Sequence, residues 1–132
     1  MRKRLFFASL ITISALFYTG CSFTQAPIHD VQSATVQGAE AKLTQTQVEQ
    51  AILKAGVTEG WRMQKIKSGL ISAIHSERGH SATVEIAYSA SSYSIKYKDS
   101  VNLKYDGANI NQNYNSWVQS LDKAIQKNFL SL

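Results

Sequence analysis

Apolar and polar residues follow two different periods from residue 43 onward, and the first period is that of a helix. Apolar side chains recur every three or four residues along one face: Val48, Ala51, Ile52 and Ala55. Thr44 and Gln47 have the spacing of a capping box, in which each side chain bonds the other residue's backbone N–H. We therefore predict a helix over residues 46–55, with Gly56 as its left-handed C-terminal cap.

Beyond residue 60 the period changes to two, which is typical of strands with one face in water. Short turns that contain Gly or Ser separate four such runs, at residues 61–67, 70–77, 80–89 and 93–98. Asp99 and Ser100 interrupt the last run, and the alternation resumes from Val101 to Tyr105. The fourth strand either continues through a bulge at this point, or a tight turn begins a short fifth strand.

A second amphipathic helix is predicted over residues 112–130, because its apolar residues form one broad stripe. The stripe consists of Tyr114, Trp117, Val118, Leu121, Ala124, Ile125 and Phe129. A helix at either end of a four-stranded antiparallel meander indicates an α+β fold. We expect a two-layer sandwich in which both helices cover the apolar face of the sheet.

The first 21 residues have the parts of a secretory signal peptide. Positions 2–4 are basic, positions 5–18 are almost wholly apolar, and two small residues precede Cys21. A transmembrane anchor is the alternative interpretation. The apolar run of about 14 residues is, however, shorter than the roughly 20 that a membrane-spanning helix needs.

Cys21 and the small residues before it resemble the lipobox of bacterial lipoproteins, although Tyr18 stands where that family usually has an aliphatic residue. The resemblance implies that residues 1–20 are removed and that Cys21 is acylated. Since Ser22 rather than Asp follows the cysteine, it also implies the periplasmic face of the outer membrane in a Gram-negative cell.

Residues 21–42 are predicted to be a flexible tether, and residues 43–132 the folded periplasmic domain. The tether is rich in Ser, Thr, Gln and Ala, contains the chain's single proline and has no apolar period. Such a composition buries too little surface to offset the entropy that ordering costs.

Charge and cysteine content narrow the function classes. Without the three basic residues of the leader, 11 basic side chains face 9 acidic ones, a net charge of +2. A domain so close to neutral lacks the basic surface of a nucleic-acid-binding protein. One cysteine excludes an intramolecular disulfide, so the fold depends on its apolar core.

Aromatic and polar residues are concentrated between positions 93 and 117. We identify the polar members and one tyrosine as a candidate surface for a ligand or partner: Asp99, Ser100, Asn102, Tyr105 and Asn115. The alternative is structural, with the rings packing the sheet against the last helix and Asp99 with Ser100 shaping a turn or bulge. The same tract, with its Tyr-x-Ile-x-Tyr-x-Asp-Ser pattern, is similar to small uncharacterised lipoproteins of proteobacteria, and this resemblance implies no activity.

Catalytic chemistry has little support in the sequence. His75 and Glu77 precede a predicted turn and His80 follows it, so a metal site or small hydrolytic enzyme built on these residues is an alternative function. The structural interpretation is that the two histidines are simply exposed on a hairpin. We expect no enzyme, no cofactor and no metal. The sequence predicts a lipid-anchored binding or envelope-structural module whose partners are the membrane and an envelope protein or cell-wall component.

Overall fold

A computed structural model describes residues 24–38 and 42–132, and these residues form two helices and seven strands. In chain order the elements are β1 (Gln25–Pro27), β2 (Val31–Thr35), α1 (Gln45–Thr58), β3 (Arg62–Lys67), β4 (Leu70–Glu77), β5 (His80–Tyr88), β6 (Ser92–Val101), β7 (Asn109–Asn111) and α2 (Gln112–Leu130). The predicted signal peptide and Cys21 lie outside the described residues.

The predicted α+β fold is confirmed, with one more strand in the main sheet than expected. β3 to β6 form the predicted antiparallel meander, and β2 joins its edge to give the order β2-β6-β5-β4-β3. β1 and β7 pair separately as a two-stranded antiparallel ribbon. Edge strand β3 carries three basic residues and is largely exposed, and lysines on an edge oppose pairing with another chain.

Both helices cover the same face of the main sheet. Ile71, Ile86 and Ile95 lie side by side in register on this face and are fully buried. Ile52 of α1 and Leu121 of α2 are buried against the same core. Within the described residues, no helix is both long enough and apolar enough to cross a bilayer.

Helix α1 begins as predicted but ends later. Thr44 Oγ1 accepts a bond from the backbone N of Gln47 (3.2 Å), and Gln47 Oε1 accepts one from the backbone N of Thr44 (2.9 Å), so the capping box is confirmed. The prediction that Gly56 caps the helix is wrong, because the helix continues past it and Gly60 adopts the left-handed conformation instead (φ +81°). Gly56 serves a packing role, since a Cβ there would lie 2.7 Å from Cγ of Met63.

The interruption in the fourth run is a bulge in β6. Thr83 faces Asp99 and Val84 faces Tyr97, so Lys98 is the extra residue on the bulged strand. The strand continues beyond the bulge to its end, and the residues that follow form a loop. Of the two interpretations left open by the sequence, the bulge is therefore correct.

The flexible tether predicted over residues 21–42 is wrong for its central part, which forms β1 and β2. Gln25 pairs with Asn111, and Val31 pairs with Ile95. Val31 is only 8% exposed and belongs to the core. These strands obtain their hydrogen bonds and burial from residues far along the chain, which the local composition cannot reveal.

Candidate functional site

The predicted histidine hairpin and the aromatic tract meet at one end of the sandwich. This hairpin end consists of the β4–β5 turn, the C-terminal end of β6 and the N-terminal end of α2. Asn102 joins the first two, since its Nδ2 donates to the carbonyl oxygen of Gly79 at 2.7 Å. The backbone oxygen of Asn102 lies 2.7 Å from Nδ1 of His80.

A stack of three aromatic rings, Trp61, His75 and Trp117, stands at the hairpin end. The ring centre of His75 lies 5.2 Å from that of Trp61 and 4.5 Å from that of Trp117. Both imidazole nitrogens are buried without a hydrogen-bond partner, and Nε2 lies 3.9 Å from a carboxylate oxygen of Glu77. The description of His75 as an exposed hairpin residue is therefore wrong, because it shares the core-facing side of β4 with Ile71.

A groove of about 280 Å³ opens beside this stack. Its lining residues are Glu77, Arg78, His80, Asn113 and Trp117. They offer a carboxylate, a guanidinium, an imidazole, a carboxamide and an indole ring. Groups of both charges next to an aromatic face can bind a small ligand that itself carries both charges.

Arg78 occupies a backbone position that favours other residues. It and Gly79 form the two-residue loop between β4 and β5, and both have positive φ (50° and 79°). Such a loop favours Asn, Asp or Gly at its first position, and a left-handed conformation costs other residues about 1–2 kcal/mol. Among the described residues the guanidinium has no hydrogen-bond or ion-pair partner. The turn therefore presents a free cation at the groove, at some cost in backbone strain.

Asn113 presents a polar side chain to the same groove from the first turn of α2. Its backbone N donates to the side chain of the N-cap residue Asn111 at 2.9 Å. Its carboxamide has no hydrogen-bond partner within the described part of the chain. Trp117 lies one turn further along the helix, so both side chains project from one face of α2.

Three of the predicted surface residues are engaged locally in β6 and the loop after it. Asp99 Oδ1 accepts a bond from the backbone N of Ser100 at 2.8 Å, within the bulged part of the strand. Ser100 Oγ lies 2.8 Å from the hydroxyl oxygen of Tyr97. The ring of Tyr105 lies against that of Tyr97, with 4.0 Å between centres and the planes inclined by 34°, and Tyr105 remains 40% exposed. These contacts match the structural interpretation of the tract.

Asn115 lies away from the groove and holds the N-terminal segment instead. Its Oδ1 accepts a bond from the backbone N of His29 at 2.8 Å, and its Nδ2 donates to the carbonyl oxygen of Pro27 at 2.9 Å. It is two residues from both Asn113 and Trp117, which places it on the opposite side of α2. Of the five predicted surface residues, Asn102 is the one whose side chain bonds the β4–β5 turn.

The resolved pKa shifts belong to groups that hold the fold together. Burial raises the pKa of the hydroxyl groups of Tyr93 and Tyr114, so both stay neutral at physiological pH. Bonds from the Tyr88 hydroxyl and the Lys65 ammonium hold the pKa of Glu49 below its ordinary value. These groups join the helices to the sheet rather than forming an acid–base pair in the groove.

Sequence reasoning did not assign Arg78, Asn113 and Trp61 to a site. The signal for Arg78 was its position in a two-residue loop where glycine or asparagine is usual. Trp61 and Asn113 gave no local signal, because their proximity to the hairpin depends on how the helices pack on the sheet. Across residues 24–38 and 42–132, no three His, Cys, Asp or Glu side chains gather as a metal site requires.

The comparisons with known proteins gave no relative from which a role for these residues can be transferred. No protein-family model matches the chain, and neither the curated proteins nor the solved structures contain a significant match. The groove and the stack are therefore interpreted from their own chemistry.

Proposed function

We propose that this chain is a lipid-anchored module of the bacterial envelope that acts by binding. Acylated Cys21 holds it at the periplasmic face of the outer membrane. The observation that carries the binding role is the groove at the hairpin end, where Arg78 and Asn113 present polar groups that have no partner among the described residues, beside the ring of Trp117.

The two histidines of the alternative function lie in different surroundings, and they do not act as a pair. Two tryptophan rings enclose His75, and both of its nitrogens are buried. His80 is bonded through Nδ1 to the backbone of Asn102. The bond through Nδ1 leaves Nε2 of His80 available at the groove, but no group of three His, Cys, Asp or Glu side chains accompanies it within the described residues. A single available imidazole supports binding better than metal-assisted hydrolysis.

The partner that we infer is a component of the envelope, either a membrane constituent, a protein or a part of the cell wall. The groove has a cation, an anion and an aromatic face in a small volume, which suits one compact polar group better than an extended apolar segment. The mature net charge of +2 adds no long-range attraction for a strongly anionic polymer.

Two measurements test the proposal, one on the protein purified from membranes and one in living cells. Intact-mass analysis should find a chain that begins at an acylated Cys21, and Cys21→Ser should leave the protein unacylated. A photo-crosslinking residue at position 113 should form adducts in living cells, whereas one at position 130, at the other end of α2, should not. An unmodified cysteine, or equal adducts at the two positions, would contradict the proposal.

A further inference from the structure

The folded domain begins very close to the predicted anchor. Three positions separate Cys21 from Thr24, whose carbonyl oxygen accepts a bond from the backbone N of Gln112 at 2.8 Å. Three residues span at most about 10 Å even when fully extended. If Cys21 carries the lipid, the membrane surface therefore lies within about 10 Å of the N-terminal end of α2.

The end of α2 that is held near the membrane is the end that lines the groove. Asn113 directly follows Gln112, and Trp117 is one turn further along the helix. The loop after β6 is tied to the same place, since Gln25 Nε2 donates to the carbonyl oxygen of Lys104 at 2.7 Å. The other end of α2 lies about 28 Å away along the helix axis. The groove therefore lies at the end of α2 that is nearer to the anchor.

We propose that this groove binds the zwitterionic headgroup of a phospholipid in the membrane that holds the anchor. The proposal rests on the lipidation of Cys21 proposed above and names the partner of the same groove. It makes the hairpin end a second membrane contact beside the acyl chains and leaves the outer face of the sheet for the periplasm.

The groove provides a partner for each part of such a headgroup. The guanidinium of Arg78 pairs with the phosphate through charge-assisted hydrogen bonds, and the carboxylate of Glu77 pairs with the ammonium. The indole of Trp117 suits the interfacial region, where its ring meets the acyl chains and its N–H meets water. The side chain of Asn113 can bond the phosphate or glycerol oxygens.

The size of the groove also favours a headgroup over the other envelope components. Clefts for drug-sized ligands measure about 300–1,000 Å³, and this groove is at or below the small end of that range. A peptide segment or a glycan chain would need a longer cleft. A phosphate–ammonium pair is short enough to place both charges within it.

Intrinsic fluorescence can test this proposal without an added label, because both tryptophans of the chain belong to the stack at the hairpin end. The acylated protein is incorporated into phosphatidylethanolamine–phosphatidylglycerol vesicles whose acyl chains carry bromine, a contact quencher. We expect quenching of Trp117, which is half-buried at the groove, while the emission of Trp61, only 3% exposed, should change little. An unquenched spectrum would overturn the proposal.

A second set of variants separates headgroup binding from simple proximity. Ten Gly/Ser residues inserted between Phe23 and Thr24 release the domain from the short anchor. Binding through the groove should preserve most of the quenching in this long-linker protein. Arg78→Gly, which the backbone favours, should then lower the apparent affinity of the long-linker protein for the vesicle surface by about tenfold. Equal quenching of the long-linker protein with and without the Arg78→Gly substitution would overturn the proposal.

Lipid composition and anchor chemistry complete the test. Vesicles of phosphatidylglycerol alone, which lack the ammonium group, should quench the long-linker protein less. Equal quenching would overturn the zwitterionic specificity. If mass analysis finds Cys21 unacylated, the proposed function fails by itself. A chain that begins at Cys21 contains the whole described core. Its cysteine thiol can then be coupled to a maleimide phospholipid, and the same quenching test decides the groove's ligand independently.

Discussion

Replacing Gly56 by alanine should destabilise the domain, although alanine is normally the better residue inside a helix. Gly56 is buried in the last part of α1, and its α-carbon faces the side chain of Met63 on β3. An added Cβ would lie 2.7 Å from Cγ of Met63 and closer still to Sδ and Cε. Met63 or the helix must therefore move to admit a single methyl group.

Two opposing free energies set the expected size of this effect. Alanine in place of glycine stabilises a helix interior by about 1 kcal/mol. Adding a methyl group to a filled core costs about 1–3 kcal/mol. We expect Gly56→Ala to lower the free energy of unfolding by about 1 kcal/mol, which corresponds to about 4–8 °C in a domain of this size.

The decisive measurement is a double-mutant cycle in urea denaturation. Met63→Ala removes the obstructing atoms, so in that background Gly56→Ala should stabilise the protein by about 1 kcal/mol. Val57→Ala is the matched control, because this neighbouring helical side chain is 66% exposed and its replacement creates no clash. The packing argument would be refuted if Gly56→Ala stabilised the protein while Met63 was present, or if its effect on the free energy of unfolding did not change sign in the Met63→Ala background.

Three further predictions follow from single contacts. Arg78→Gly should raise the free energy of unfolding by about 1 kcal/mol by relieving the left-handed backbone, and an unchanged thermal midpoint would count against the strain. Asn115→Ala should lower the free energy of unfolding by about 1–3 kcal/mol and speed amide hydrogen exchange in β1 and β2 more than in β4. An equal increase in exchange in all three strands would show that the two side-chain bonds of Asn115 do not hold the N-terminal segment. Glu49→Gln should destabilise at pH 7, because the depressed folded-state pKa means that ionised Glu49 stabilises the fold above its ordinary pKa of 4.5. The difference in the free energy of unfolding between this variant and the wild type should disappear as the pH falls through the lowered pKa of Glu49 in the folded state. A difference that persisted in acid would contradict this role of Glu49.

Periodicity predicted the large elements because each of them buries a complete face. The stripe in α2 gave that helix at its observed bounds, and period-two alternation gave the meander strands, although β6 runs on through its bulge. The same alternation places His75 on the core side with Ile71, but local sequence could not show that Trp117 would cover it. That contact depends on the position of α2 over the sheet.

The errors arose where local and distant interactions compete. β1, β2 and β7 are three to five residues long and mostly polar, so neither their composition nor their period is that of a strand. They form because partners far along the chain supply their hydrogen bonds. Gly56 satisfied the local rule for a helix cap, yet the positive φ of Gly60 allowed the helix to run to Thr58. Likewise, Asn115 looked like a free recognition residue until the N-terminal segment supplied its partners.

The pairing of β1 with β7 and of β2 with β6 also sets an order of assembly during synthesis. The first two strands to leave the ribosome have no partners until residues 92–111 have followed them. Closing such long loops is entropically costly, so these contacts should form after the meander hairpins. Until then, β1 and β2 remain unpaired. A newly made chain therefore completes the five-stranded sheet only after nearly all of the domain has been synthesised.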